Sequence, residues 1–380
     1  MGVFFMKKFF SAVLTAVLVL CSCFITGDLR AGAVSAKAYI LINVETGSVI
    51  EQSNSDMRLP MASTTKIMTA WLLAEQNTPD KTVTVTKEMV TVEGSSMGLL
   101  PGDTVSYHDL LYGMLLASGN DAANVTAYCL AGSPEKFAVM MNQKAKEIGL
   151  KNTNFVTPSG LDDDNHYTTA ADLAELARRA MQNPEFKKAA STKSAQLYYG
   201  NPPYKRWLTN HNKLLSSFPG AIGVKTGFTK KSGRCLVSAA ERDGGCVIAV
   251  TLNDPNDWAD HAALLERGLS QLYKYTPDLS MIDDTLPVIG ASDTDRVRIK
   301  IPNIEMSLTK KEDKEFTYKV DCQKFLYAPL KAGSEVGTIT FYLNGKQVGT
   351  YPITVETAVN AVTVDRGEQF LKCLMLLLNM

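Results

Sequence analysis

Ala38-Tyr39-Ile40-Leu41-Ile42-Asn43-Val44-Glu45-Thr46-Gly47-Ser48-Val49-Ile50-Glu51 places two short apolar runs on either side of the turn Glu45-Thr46-Gly47. Such a pattern predicts a β-hairpin. The next strand-like block comes only at Ile222 to Leu252, where three short runs follow one another. The sequence between them reads as helix. Residues 63–76 are apolar nearly all round, residues 107–117 and 121–131 are separated by Ser118-Gly119-Asn120, and residues 134–148 are amphipathic. Ser133 reads as an N-cap before Pro134, and Gly149 as a stop. Thr169-Ala170-Ala171-Asp172 reads as a capping box opening a helix to about Met181, and Asp257 to Tyr273 is helical again. Strands at both ends with helices between them imply that the hairpin returns to join the late strands. The expected fold is an α/β (α+β) domain, one antiparallel sheet flanked by helices, over residues 37–276.

Beyond it, Pro277 to Asp284 reads as a linker (277–284), and residues 285–357 as a second, all-β domain. Arg296-Val297-Arg298-Ile299-Lys300 and Thr338-Ile339-Thr340-Phe341-Tyr342 alternate, and Asn344-Gly345 predicts a hairpin turn. Residues 358–380 form a tail, polar from Asp365 and nearly all apolar from Phe370 to Leu378. As a helix, nine residues rise only about 14 Å, too little to span a bilayer. An amphipathic helix lying on a membrane surface is the expectation, with packing on the β domain as the alternative.

At the other end, Lys7-Lys8 precede an apolar run, Phe9 to Ile25, which is followed by Ala31-Gly32-Ala33 and Val34-Ser35-Ala36. This is the layout of a secretory signal peptide, taken here as residues 1–36, with an uncleaved anchor helix as the alternative. The chain has 39 basic and 39 acidic residues, and removing 1–36 leaves a net charge of −2. With no basic excess to neutralise phosphates, a nucleic-acid partner is disfavoured. The five cysteines left, Cys129, Cys235, Cys246, Cys322 and Cys373, do not form a disulfide framework. If Asp243-Gly244 is a two-residue turn, Cys235 faces Leu252 and Cys246 faces Glu241, roughly 20 Å apart along the strands. Buried free thiols are expected. The four histidines are far apart in sequence, no zinc spacing exists, and Asp162-Asp163-Asp164 lacks the pattern of a calcium loop, so no metal or other cofactor is expected.

Ser-x-x-Lys occurs three times, at Ser63-Lys66, Ser133-Lys136 and Ser307-Lys310. Context separates them. The second is a helix cap and the third lies in strand sequence, where this spacing puts the two side chains on opposite faces. Only the first opens an apolar helix, where a buried ammonium has its pKa lowered and can take a proton from Ser63. Ser118-Gly119-Asn120 is the chain's one Ser-x-Asn and falls in a break between helices. Lys225-Thr226-Gly227 lies on a strand, where glycine permits close approach of a substrate backbone.

Together these three motifs resemble the signature of penicillin-recognising serine enzymes, a set whose mechanics are well characterised. Within that superfamily the chain resembles the D-alanyl-D-alanine carboxypeptidases, the low-molecular-mass penicillin-binding proteins. The likeness extends to Pro60-Met61-Ala62, Gly149 to Phe155, Gly160-Leu161 to Thr169, Gly223 to Thr229 and Ala328-Pro329-Leu330. It implies a β-lactamase/transpeptidase-like fold and an acyl-enzyme on Ser63, formed from a peptidoglycan stem peptide with loss of its last D-alanine. Lys66 would be the base and Ser118 a proton shuttle. Asn120 would hold a substrate amide, the N–H groups of Ser63 and Phe228 would form the oxyanion hole, and Thr226 and Thr229 would bind the terminal carboxylate beside Lys225. β-Lactams would be bound covalently, and the enzyme would work outside the cytoplasmic membrane. One departure is that Asn253 to Trp258 lacks the arginine some relatives use for the carboxylate. The alternatives are a class A-like β-lactamase or a transpeptidase on the same acyl-enzyme, or a non-catalytic wall-binding protein. Residues 162–179 offer only Glu175, without the Glu-x-x-Leu-Asn pattern of the first.

Overall fold

A computed structural model of the chain describes residues 34–312 and 316–363, together with Gly367 and Leu374. The expectation for residues 1–33 and most of that for the tail lie outside the described residues.

β1 (Ala38–Asn43) and β2 (Val49–Ser53) form the hairpin read from the opening stretch. A 3-10 turn over Ala62–Thr65 leads into α1 (Lys66–Ala74), every residue of which is buried. Its Ile, Met, Trp and Leu side chains each contribute about 1.5–3 kcal/mol on burial, which offsets the cost of sealing Lys66 among them. The ribbon β3 (Thr82–Thr84) and β4 (Thr104–Ser106) precedes α2 (Tyr107–Leu115), which is opened by a Ser106–Asp109 capping box. The chain then breaks and resumes as α3 (Asn120–Ala131) and α4 (Pro134–Glu147), the latter capped by Ser133 as expected. Thr169 caps α5 (Ala170–Ala180) by accepting from the Asp172 N–H. The second half of the expected box is replaced, because the Asp172 carboxylate turns outward to accept from Asn152 N and Thr153 Oγ1. That contact ties the helix to the preceding loop.

α6 (Pro184–Ser191) leads to a hairpin that the alternation pattern conceals, β5 (Ser194–Gly200) and β6 (Pro203–Thr209). Aromatic residues point outward as well as inward along it, so no apolar/polar period is visible. β7 (Ala221–Thr229), β8 (Gly233–Arg242) and β9 (Gly245–Leu252) follow, then α7 (Asp257–Gln271). The central sheet runs β2-β1-β9-β8-β7 and is antiparallel throughout, so the N-terminal hairpin does join the late strands. β7 is left as one edge. Asp243 and Gly244 both have positive φ, as a tight hairpin turn requires, and Cys235 faces Leu252 while Cys246 faces Glu241. All four cysteines among the described residues are free, but only Cys235 is fully buried.

One face of the sheet packs on α1 to α6 in a large apolar core; the other packs under α7. The chain leaves α7 directly into β10 (Leu272–Tyr275). Next come β11 (Thr285–Ile289), β12 (Arg296–Lys300), β13 (Met306–Thr309), β14 (Phe316–Cys322), β15 (Leu326–Tyr327), β16 (Glu335–Leu343) and β17 (Lys346–Val355). Six of these form a sheet ordered β14-β16-β17-β12-β11-β15 around its own core, and Asn344-Gly345 makes the expected turn. β10 pairs with β13, which shortens the helix expected to reach Tyr273. The β1–β2 turn docks here too. Thr46 Oγ1 donates to Glu312, Asn43 Nδ2 donates to Ser307 O, and Glu45 accepts from Ser307 N. Near the start of the described chain, the Ser35 hydroxyl lies between Asp254 and Asp260, within hydrogen-bond reach of both.

Candidate active site

Ser63 lies one residue after Ala62, whose φ of +46° is in the left-handed region that alanine rarely adopts. Thr65 Oγ1 donates to Ala62 O at 2.8 Å and Thr64 Oγ1 to Met61 O at 2.6 Å, locking this turn. The α-helix expected from residue 63 therefore begins at Lys66, after one tighter turn. Partly exposed Ser63 consequently meets a lysine whose exposure is 0%.

Lys66 Nζ lies 2.8 Å from Ser63 Oγ, 2.7 Å from Asn120 Oδ1 and 2.8 Å from Ser159 O. The last two partners are carbonyl oxygens that can only accept. Burial pushes the Lys66 pKa well below the usual lysine value, and the neighbouring Lys225 lowers it further. A neutral amine has two N–H bonds and one lone pair. In that form, with both N–H groups taken by Asn120 and Ser159, the lone pair would face the Ser63 hydroxyl, the arrangement needed to remove its proton.

Ser118 also sits at a positive φ, +57°, in the break between α2 and α3. Its Oγ accepts from Lys225 Nζ at 3.0 Å, and the same amine donates to Thr226 O at 2.9 Å. Burial brings Lys225 down to about 7. The Ser-x-x-Lys, Ser-x-Asn and Lys-Thr-Gly residues thus come together, with Ser118 on Lys225 and Asn120 on Lys66. Asn120 Nδ2 donates to Glu93 O at 2.6 Å, so both ends of that amide are engaged within the protein.

Lys225, Thr226, Gly227, Phe228 and Thr229 lie along the edge strand β7. A Cβ at Gly227 would stand 3.0 Å from Met61 O and 3.1 Å from Thr64 N. The space that glycine vacates is occupied by the turn that carries Ser63, so its first role is to let β7 seat against that turn. Phe228 is 66% exposed. Thr229 Oγ1 donates to Asp162 Oδ1 at 2.8 Å and lies 3.0 Å from Ser232 Oγ. Lys231 pairs with Asp164, so the acidic run grips the β7–β8 turn.

Several supporting residues escape a reading by motif. Asp121, next to Asn120, accepts from Ser96 Oγ and from the N–H groups of Met97, Gly98, Leu99 and Ala122, which fixes the 96–99 segment against the Ser-x-Asn loop. His166 Nδ1 faces the N–H groups of Val156 and Thr157, so Nε2 carries the proton and donates to Thr65 Oγ1 at 2.8 Å. Burial lowers its pKa to about 4, keeping it neutral.

Gly160 has φ of +86°, and a Cβ there would lie 1.9 Å from Ala62 O. Gly160→Ala is expected to cost about 2–4 kcal/mol and to lower Tm by roughly 5 °C or more, with slower acylation because Ala62 must move. A thermal melt paired with penicillin-labelling rates checks this; an unchanged melt would show that the loop relaxes freely.

Residues 26–256 match the sequence family described as D-alanyl-D-alanine carboxypeptidase, and residues 291–361 match the C-terminal domain of penicillin-binding protein 5. The chain belongs to the D-alanyl-D-alanine carboxypeptidase family. This carboxypeptidase is 33% identical to DacF of Bacillus subtilis over 333 residues, covering 84% of this chain and 85% of that one. It is 34% identical to DacC of Escherichia coli over 355 residues, covering 86% and 84%. Penicillin-binding protein 5 of Haemophilus influenzae superimposes with a TM-score of 0.62 at 26% identity, over 86% of this chain and 98% of that one. The DD-transpeptidase of Streptomyces K15 gives 0.60 at 33% identity, over 63% and 98%. The carboxypeptidase is a serine-type hydrolase of the penicillin-binding class, with the fold expected from its sequence.

Proposed function

We propose that Ser63 attacks the carbonyl between the two terminal D-alanines of a peptidoglycan stem peptide, with Lys66 as base. The observation that carries this is the Lys66 amine, held by two pure acceptors and 2.8 Å from Ser63 Oγ. The proton passes to Lys66, and the C–N bond breaks as the leaving D-alanine takes up a proton through Ser118, which is bonded to Lys225. Water then hydrolyses the ester. The N–H groups of Ser63 and Phe228 form the oxyanion hole, and the edge position of β7 supports pairing of the substrate backbone along it. Lys225 and Thr226 hold the terminal carboxylate. Thr229 joins them by giving up Asp162, and Asn120 binds a substrate amide by exchanging its bond to Glu93. β-Lactams acylate the same Ser63.

Deacylation of a penicillin is slow on this reading. Both Glu175 oxygens are occupied by Arg178 and Arg179 within α5, which leaves the carboxylate poorly placed to activate a water as a β-lactamase requires. D-Alanine release from defined pentapeptides, with and without an amine acceptor, tests the assignment. Release without acceptor supports hydrolysis; release only with acceptor makes the protein a transpeptidase.

Export to the outer face of the cytoplasmic membrane, with peripheral attachment through residues 358–380, completes the proposal. No helix among the described residues is long and apolar enough to cross a membrane. Deleting Asp365 to Met380 is expected to move the mature protein from the membrane pellet to the soluble fraction. Retention in the pellet would place the anchor elsewhere.

A further inference from the structure

The β5–β6 hairpin turns one face inward and leaves the other open. Leu197, Tyr199 and Leu208 are buried, whereas Tyr198 is 59% exposed and Trp207 66%. In the register of the ribbon, Ser194 faces Thr209, Gln196 faces Trp207 and Tyr198 faces Lys205, so these six side chains share the outward face. Two large rings are thereby set among hydroxyls, an amide and an ammonium.

The platform is rigid. Arg206 is sandwiched between the Tyr199 and Tyr204 rings at 4.4 and 4.1 Å and donates to Gly98 O at 2.6 Å. Tyr199 donates to Met97 O at 2.7 Å, and Gln196 Nε2 donates to the Tyr198 hydroxyl at 2.8 Å. The hairpin is also tied to the wall of the catalytic cleft. Segment 96–99 is bound to Asp121 beside Asn120, and beyond β6 the His211 N–H donates to Leu116 O, two residues before Ser118. Trp207 is four residues from His211, at most about 14 Å along an extended chain.

We propose that this outward face is a subsite for the amino-sugar glycan to which the stem peptide is attached, with Trp207 and Tyr198 stacking on the sugar rings. The inference rests on the carboxypeptidase reading above and deepens it. The four residues between the scissile bond and the sugar-linked end of the stem peptide reach about 13 Å when extended, the same order as the at most about 14 Å of chain from Trp207 to His211 beside the Ser118 wall. The C–H faces of a pyranose are apolar while its rim carries hydroxyl and acetamido groups. Aromatic faces ringed by hydroxyl, amide and ammonium groups complement both.

The test compares kcat/KM for D-alanine release from a disaccharide-linked pentapeptide and from the same pentapeptide without sugar. The unsubstituted enzyme is expected to prefer the sugar-linked substrate. Trp207→Ala is expected to lower that preference about tenfold, and Trp207→Phe to retain it. An unaltered ratio in Trp207→Ala, or equal loss on both substrates, overturns the proposal. A second arm uses only the unsubstituted protein: peptide-free glycan strands should compete with the sugar-linked substrate and not with the free pentapeptide. Absence of competition overturns the subsite, even where the alanine variant does not fold. Failure of the unsubstituted enzyme to release D-alanine from the free pentapeptide is a separate result and refutes the underlying reading instead.

Discussion

Ser63→Ala is expected to eliminate covalent labelling by a fluorescent penicillin and to reduce D-alanine release from a pentapeptide by about 10⁵-fold or more. The acyl-enzyme needs an oxygen at this position, and removal of a serine nucleophile from comparable machinery costs on that order. The variant should fold, since Ser63 is partly exposed and the turn around it is held by Thr64, Thr65 and Gly160 rather than by its own hydroxyl. Persistent labelling would mean that a different residue is the nucleophile. A folded variant that still binds the stem peptide without turnover would also separate substrate binding from chemistry.

Lys66→Arg should be almost as severe, with acylation about 10²–10⁴-fold slower, because it puts a permanent cation in place of an amine that must be neutral to act. Arginine stays protonated at any pH the protein survives, so it cannot accept the Ser63 proton. The pH dependence carries the same information. Lys66 acts as base only when neutral, so acylation should fall as pH is lowered through its depressed pKa and the amine becomes protonated. Burial and the charge of Lys225 both depress that pKa. Neutralising Lys225 as Gln therefore removes one of the two influences, raises the Lys66 pKa and moves the acidic limb to higher pH. A stopped-flow pH profile of β-lactam acylation checks the sign. A limb that stays in place, or shifts to lower pH, would show that another group controls it.

The hairpin at residues 38–51 and the three runs from Ile222 to Leu252 had alternation and turn chemistry strong enough to specify themselves. Asp243-Gly244 even set the register of Cys235 and Cys246. The β5–β6 hairpin was illegible because its outward positions carry Tyr198 and Trp207 where the pattern requires polar residues. On the glycan-subsite proposal, that violation is the function. The helix expected from residue 63 was misread by three positions, since whether a chain tightens into a 3-10 turn depends on what packs against it, here Gly160 and Gly227.

At the site, three short motifs were enough to name the family and to single out Ser63 and the two lysines that the fold brings together, because the chemistry demands particular side chains at fixed local spacings. Those spacings are set within a single helix turn or strand and so are written in the sequence. What each group is bonded to depends on segments far apart in the chain. Lys66 receives its orientation from Asn120, 54 residues away, and from Ser159, 93 away; Thr229 is held by Asp162, 67 away; and His166 reaches Thr65 across 101. Only packing brings those partners within 3 Å and excludes the water that would otherwise keep the lysines charged. Residue identity therefore decided which reaction this protein performs, while the tertiary structure decided which protons are in place to perform it.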